Sequence, residues 1–351
     1  MGKKIAIVGA GALGGHVGGY LARAGEDITF IDFWPENVET IRSKGITLVG
    51  QTEPECFTTA PVRALHVTEL QQMVKEPPFD IAFVSVKSYD TVWATTMIQP
   101  YLAPDAYVVS LQNSINEERI AGVVGWGKTI GCIASTIAVE LTDPGKVQRN
   151  VALGGERHTV FRVGEPHGRI TPRVQEIVRL VSCIDSAKPT ENLWGERWSK
   201  LIVNAMRNPV SAATGRGGNA NDRDPHTRFL ALRLASEAIK IGLAHGYTLE
   251  KVYKMDPQQV LRAGEGEKAA RDACEKILLD NTSFRNDEQR PSMGQDIQKG
   301  RRTEIDFING LVAMRGREAG IPTPANDGII NSVRRIERGE IKPGVEAVAH
   351  I

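Results

Sequence analysis

In the first half of the chain, short apolar runs alternate with stretches of helical spacing. Ile5 to Val8, Ile28 to Ile31, Ile81 to Val86 and Tyr107 to Leu111 are β-rich and bounded by turn residues. Runs that are apolar at consecutive positions predict strands covered on both faces, as in a parallel, doubly wound sheet. Further short strands are predicted at Thr129 to Ile133, Lys146 to Val151 and Val160 to Val163, with helices at Leu13 to Arg23 and Pro172 to Val181. Beyond Ala187-Lys188-Pro189 the pattern changes. Glu196 to Met206, Arg228 to His245, Pro257 to Leu279 and Met293 to Glu318 carry apolar residues three and four apart, which predicts four helices. Thr214 to Pro225, rich in Gly, Asn, Asp and Arg, reads as a long loop, and the tail from Lys342 as frayed or lightly docked. The predicted architecture is α/β. A doubly wound N-terminal domain over 1–188 precedes an all-helical C-terminal domain over 189–351.

Length agrees with that division, since 351 residues exceed what one ordinary core organises. With 43 basic against 42 acidic side chains, the chain lacks the positive field that binds nucleic acid. The four cysteines (Cys56, Cys132, Cys183 and Cys274) are scattered without a CxxC pair. That pattern argues against a zinc site and a disulfide framework and suits a reducing cytoplasm. Lys3-Lys4 and the apolar run after it read as a first strand rather than a signal peptide, because a Gly-rich stretch follows. Ala6 breaks the myristoylation pattern that Gly2 would begin. No apolar run is long enough to span a bilayer, so neither membrane nor nucleic acid is an expected partner.

Gly9, Gly11 and Gly14 form GxGxxG where the first strand meets the first helix. The glycines serve a tight turn, close approach of backbone to pyrophosphate, and close packing of helix on strand. The helix start adds unpaired N–H groups and a positive dipole end. Gly9-Ala10-Gly11-Ala12-Leu13-Gly14 is therefore the candidate phosphate cradle of a Rossmann-type domain. Asp32 closes the second strand, where a carboxylate accepts hydrogen bonds from both ribose hydroxyls of NAD(H). A 2′-phosphate there would meet like charge, and Phe33-Trp34-Pro35 offers no cation, so NAD(H) is favoured over NADP(H). The other reading of Asp32 is a surface residue opening a turn before Pro35. Lys87 and Asn113 follow the carboxyl ends of two further strands, where open α/β sheets bind ligands. Residue type alone equally permits a solvated lysine and a turn asparagine.

In the helical half, Lys200, Asn204 and Asn208 are spaced four apart and share one helix face. They are either a surface stripe or a set of ligand-facing groups. Ser292 and Gln295 fit a capping box, while a Ser at a helix start also suits a carboxylate. Glu304 further along is either a solvent-facing helical residue or an acidic group of the site.

These motifs together resemble the ketopantoate reductases (2-dehydropantoate 2-reductases). The resemblance runs through GAGALGG at Gly9 to Gly15, SVKSYDT at Ser85 to Thr91 and LQNS at Leu111 to Ser114. It continues through WSKLIVNAMRNP at Trp198 to Pro209, SMGQDIQKGRRTEIDFINGLV at Ser292 to Val312 and AGIPTPAN at Ala319 to Asn326. It implies a catalytic Lys200, with Glu304 as the acidic residue near the reacting oxygen. Asn113, Asn204, Asn208 and Ser292 would position a 2-oxo or 2-hydroxy acid, with Lys87 and Asn113 also beside the cofactor. A homodimer is compatible with this reading.

Three positions depart from the family pattern. Ser114 stands where the family usually has Gly after the asparagine, and Asp32-Phe33 stands where NADPH-using members carry a basic residue. Gly215 to Pro225 is longer and more charged than is typical, and its Arg216 and Arg223 either reach a larger, more acidic substrate or are solvated. The departures leave open an NAD-dependent dehydrogenase for another branched or polyhydroxylated 2-hydroxy acid. An opine-type dehydrogenase would need a His with an acidic partner, and a non-enzymatic NAD(H) sensor would not need Lys200, Asn204 and Glu304 together.

Overall fold

The computed structural model describes residues 2–284, 287 and 289–351. Its contacts divide the chain into two compact units, Met1–Leu193 and Trp194–Ile351. The divide falls a few residues beyond 188, because Ala187–Pro189 is itself a strand of the first unit's sheet.

The first unit holds twelve strands among the described residues. They are β1 (Lys4–Val8), β2 (Asp27–Asp32), β3 (Thr47–Val49), β4 (Phe57–Thr58), β5 (Ala64–His66) and β6 (Phe79–Val84). Then come β7 (Leu102–Ser110), β8 (Thr129–Ala134), β9 (Val139–Asp143), β10 (Lys146–Arg149), β11 (Phe161–Gly164) and β12 (Ala187–Pro189). Its helices are α1 (Ala12–Arg23), α2 (Pro35–Lys44), α3 (Thr91–Ile98), α4 (Glu117–Val124) and α5 (Pro172–Val181). The large sheet runs β12-β11-β8-β7-β6-β1-β2-β5, parallel throughout except where β11 meets β8. Chain order reverses direction between β1 and β6, which is where such sheets open a ligand crevice.

Continuous apolar strands are explained by two cores. Ile5 and Ile7 pack in one with Val17, Tyr20 and Ile177, whereas Ala6 and Val8 pack on the opposite face with Ala94, Ile98 and Ile120. A small sheet, β4-β3-β10-β9, closes over α1, with Val147 and Ile46 lying against Gly15.

The second unit is helical, as its 3.6-residue period predicts. It contains α6 (Leu193–Thr214), α7 (Gly218–Arg223), α8 (Pro225–Ala244), α9 (Pro257–Gly264) and α10 (Lys268–Asp280). The remainder is α11 (Ser292–Gln298), α12 (Ile305–Glu318) and α13 (Pro324–Glu337). Trp198 of α6 is fully buried and donates its indole N–H to the Ala238 carbonyl of α8 at 2.8 Å.

α6 continues two turns past the expected Met206, straight through Pro209. Proline has no N–H for the carbonyl four residues back, that of Ala205. Asn309 of α12 supplies the missing donor, its Nδ2 lying 3.0 Å from that carbonyl. Only the folded unit brings this partner to the break.

Three expectations for this unit need correction. The loop expected at Thr214 to Pro225 contains α7, whose Asp222 is buried and paired with Arg207 at 2.8 Å. Pro257 to Leu279 is two helices, parted by a turn in which Gly266 takes φ +97°. Met293 to Glu318 is likewise two, parted at Gly300 with φ +60°. Of the two alternatives for the tail, the docked one is found. Gly344 N–H donates to the Ala213 carbonyl at 2.9 Å, and Ser332 Oγ to Ala347 at 2.7 Å.

Candidate active site

The glycine turn has the geometry a pyrophosphate needs. Gly9 takes φ +96°, a conformation strained for any residue with a Cβ. A methyl group on Gly14 would collide with the Gly9 carbonyl oxygen and Ser85 Oγ, so helix and turn touch there. A methyl on Gly11 would meet nothing within 4 Å, which leaves open space above the turn. Gly11 is the N-cap of α1, and no side chain caps that end. The first N–H groups of α1 thus have no intrahelical partner and form the positive end of its dipole, a ready anion site. The residues present fit a dinucleotide.

Ser85, directly after β6, ties the turn in place. Its Oγ lies 2.7 Å from the Gly9 carbonyl and 3.1 Å from that of Val8. In the sequence it stands only as the first residue of the SVKSYDT stretch, at the carboxyl end of a buried strand, with no role of its own.

Asp32 ends β2 and is buried rather than on the surface. Its Oδ2 accepts from Ala10 N at 2.5 Å and its Oδ1 from Trp34 N at 2.8 Å, so it fixes the cradle and also turns the chain before Pro35. Burial pushes its carboxyl above the usual carboxylate range, opposed by these backbone bonds and by His66. Each oxygen keeps further acceptor capacity. His66 of β5 stands opposite Asp32 in register, and its Nε2 contacts the Phe33 carbonyl at 3.1 Å.

Lys87 and Asn113 lie in loops past the carboxyl ends of the adjacent strands β6 and β7. Ser88 Oγ donates to the Asn113 carbonyl at 3.3 Å, and Gln112 Nε2 to the Val86 carbonyl at 2.7 Å. The loops carrying Lys87 and Asn113 are therefore joined by side chains. Ser114 takes φ +65°, a backbone conformation that glycine adopts with less strain than serine.

In the helical unit, α6 presents Lys200, Asn204 and Asn208 at successive turns, the first two half-buried and the third buried. Asn204 Nδ2 is enclosed and has no hydrogen-bond partner among the described residues. Asn208 Nδ2 lies 3.4 Å from Ser292 Oγ, which brings together two residues far apart in sequence. Ser292 does not cap α11. The N-cap is Pro291, and Gln295 instead donates to the Arg290 carbonyl at 3.0 Å, leaving the serine hydroxyl to face α6. Glu304 is buried and forms the N-cap of α12, so it is neither mid-helix nor solvent-facing. A carboxylate there is stabilised by the positive end of that helix.

Arg216 pairs with Asp224 at 3.3 Å and Arg223 with Asp287 at 3.0 Å, so both arginines have acidic partners within the unit. A histidine–acid pair, His167 with Glu165 at 3.8 Å, is half-exposed at the histidine, and Glu165 is bound by Arg173 at 2.7 Å. No helix among the described residues is long and apolar enough to cross a membrane, and no His/Cys/Asp/Glu group there could hold a metal.

Residues 5–161 match the family model described as "Ketopantoate reductase PanE/ApbA", and residues 192–337 match its C-terminal counterpart. The chain is 30% identical over 341 residues to a 2-dehydropantoate 2-reductase of Archaeoglobus fulgidus, covering 96% of this chain and 99% of that one. It is 31% identical over 330 residues to the Pyrococcus horikoshii protein of the same name, covering 92% and 94%. Among solved structures it is similar to a PanE/ApbA family ketopantoate reductase from Ralstonia eutropha JMP134, with TM-score 0.76, 27% identity and coverage of 96% and 99%.

Proposed function

The chain belongs to the ketopantoate reductase family, and we propose that it reduces a 2-oxo acid of the 2-dehydropantoate type, with NADH as the preferred reductant. As a member of that family it is an oxidoreductase that uses a nicotinamide cofactor. The observation that carries the substrate reading is the amide nitrogen of Asn204, enclosed and without a hydrogen-bond partner among the described residues, one turn from Lys200 on the same face of α6. A buried donor without a partner is costly unless a ligand supplies the acceptor.

When bound, the nicotinamide supplies the hydride that reduces the substrate carbonyl carbon. The Lys200 ammonium gives its proton to the carbonyl oxygen as negative charge grows there. Glu304 holds Lys200 or a substrate hydroxyl. Asn204, Asn208 and Ser292 bind and orient the acid, and Lys87 and Asn113 flank the nicotinamide and the substrate. One hydride and one proton convert the C=O to CH–OH, and the reverse direction uses the same groups.

The NADH preference rests on Asp32. Its carboxylate, with acceptor capacity left beside Ala10 and Trp34, suits ribose hydroxyls and opposes a 2′-phosphate. The same residue supports a second reading, NAD-dependent oxidation of another branched or polyhydroxylated 2-hydroxy acid. The reaction takes place in the cytoplasm, by this reading, and a homodimer is the assembly to test for.

The test is a panel of 2-oxo and 2-hydroxy acids with NADH, NADPH and their oxidised forms, followed by nicotinamide absorbance. Highest kcat/KM for 2-dehydropantoate with NADH supports the first reading. Preference for oxidising a different 2-hydroxy acid supports the second, and no turnover of any acid refutes both.

A further inference from the structure

We infer that Asn116 is a positioning residue for the nicotinamide end of the cofactor site, through the bonds it makes to Asn113 and Ser88. This rests on the reading that Lys87 and Asn113 flank the nicotinamide.

Asn116 has no exposed surface and stands at the N-cap of α4, yet its side chain caps nothing. Its Nδ2 instead lies 2.7 Å from the Asn113 carbonyl and 3.1 Å from Ser88 Oγ. Ser88 Oγ in turn lies 3.3 Å from the same Asn113 carbonyl. The two amide hydrogens and the hydroxyl hydrogen thus form a closed triangle. It joins the residue after Lys87 to the backbone of Asn113.

A closed triangle matters here because the backbone between its corners is under strain. Ser114 takes φ +65°, which an L-residue adopts only when its surroundings hold it there. The bond from Asn116 to the Asn113 carbonyl spans that residue on its N-terminal side. Asn116 Oδ1 is enclosed and has no partner among the described residues, so the amide is placed for its two donors. Without those donors the triangle opens, the Ser88–Asn113 and Gln112–Val86 bonds remain between the loops, and Asn113 and Lys87 are held less tightly. The adenosine end of the cradle, built from Gly9, Gly14, Ser85 and Asp32, shares none of these bonds.

Asn116→Asp keeps the shape but replaces both donors with a carboxylate facing a carbonyl. Asn116→Ser is a smaller change that keeps one donor, in case the first variant does not fold. Affinities for NADH and for ADP-ribose, which lacks the nicotinamide, are measured for both variants and the wild type, with steady-state rates alongside. NADH affinity should fall about tenfold and kcat on the order of 10- to 100-fold, while ADP-ribose affinity stays within about twofold. The Asn116→Asp rate, relative to wild type, should recover toward low pH, since a protonated carboxyl donates one bond to Asn113. Unchanged NADH affinity, or equal loss of both ligands, overturns the proposal. A wild type that binds NADH but turns over no acid refutes the substrate reading, and the comparison of the two affinities still decides the role of Asn116.

Discussion

His16, two residues past Gly14 on α1, offers a quantitative test of the first unit's core. It lies on the inner face of α1, edge-on to Tyr20 with ring centroids 5.0 Å apart, and neither ring nitrogen has a hydrogen-bond partner among the described residues. Burial, reinforced by the Arg149 charge and opposed by Asp185, pushes its pKa down to about 3 from 6.5. The folded protein therefore holds the imidazole neutral where the unfolded chain would protonate it. Protons bind the unfolded state preferentially, so stability is full above the unfolded pKa and falls as the pH drops below it, toward the folded value. The linkage relation gives a loss of about 2 kcal/mol at about pH 5, against about 0.2 kcal/mol at about pH 7. His16→Leu fills a similar volume and has nothing to protonate. Urea unfolding of both proteins, followed by circular dichroism at about pH 7, 6 and 5, should show the wild type losing about 2 kcal/mol more than the variant. Comparing slopes removes any cost of the leucine itself. Parallel pH dependences would refute the reasoning and mean that His16 reaches solvent or a partner when protonated.

Lys200→Ala should lower kcat by about a hundred- to ten-thousand-fold while NADH affinity, read by fluorescence titration, is unchanged; near-normal turnover would remove its proposed role. Asp32→Ser should raise NADPH use relative to NADH in kcat/KM, and an unaltered ratio would end the ribose argument. Gly14→Ala places a methyl against the Gly9 carbonyl and Ser85 Oγ. It should cost about 1–3 kcal/mol in urea unfolding and weaken ADP-ribose binding, and a neutral result on both would contradict the described contact. Asn309→Ala removes the donor that covers the Ala205 carbonyl. It should destabilise by about 2 kcal/mol, and by less in a Pro209→Ala background, where residue 209 regains its own N–H; equal losses in both would dismiss the explanation.

The strand runs, the glycine turn and the helix face bearing Lys200, Asn204 and Asn208 could all be read from order along the chain. Their cause is local: strand and helix periods, and the conformational freedom of Gly9, act over a few residues. Breaks in a periodic pattern were less legible. Residues 264–268 and 298–304 hold no apolar side chain, but the helical spacing resumes beyond each, so each pair of helices read as one until the backbone showed the positive φ of Gly266 and Gly300.

What the linear order did not determine were partners distant in sequence. Pro209 leaves the buried Ala205 carbonyl without its helical donor, and Asn309, a hundred residues later, supplies one. Glu304 and Ser292 were assigned roles from their motifs, but their surroundings follow from where α11 and α12 start, and those starts differ from the expected ones. Asn116 and Ser85 had no residue-type signal at all. A buried polar side chain acquires its function from the groups enclosed with it, and that enclosure exists only once the chain has folded.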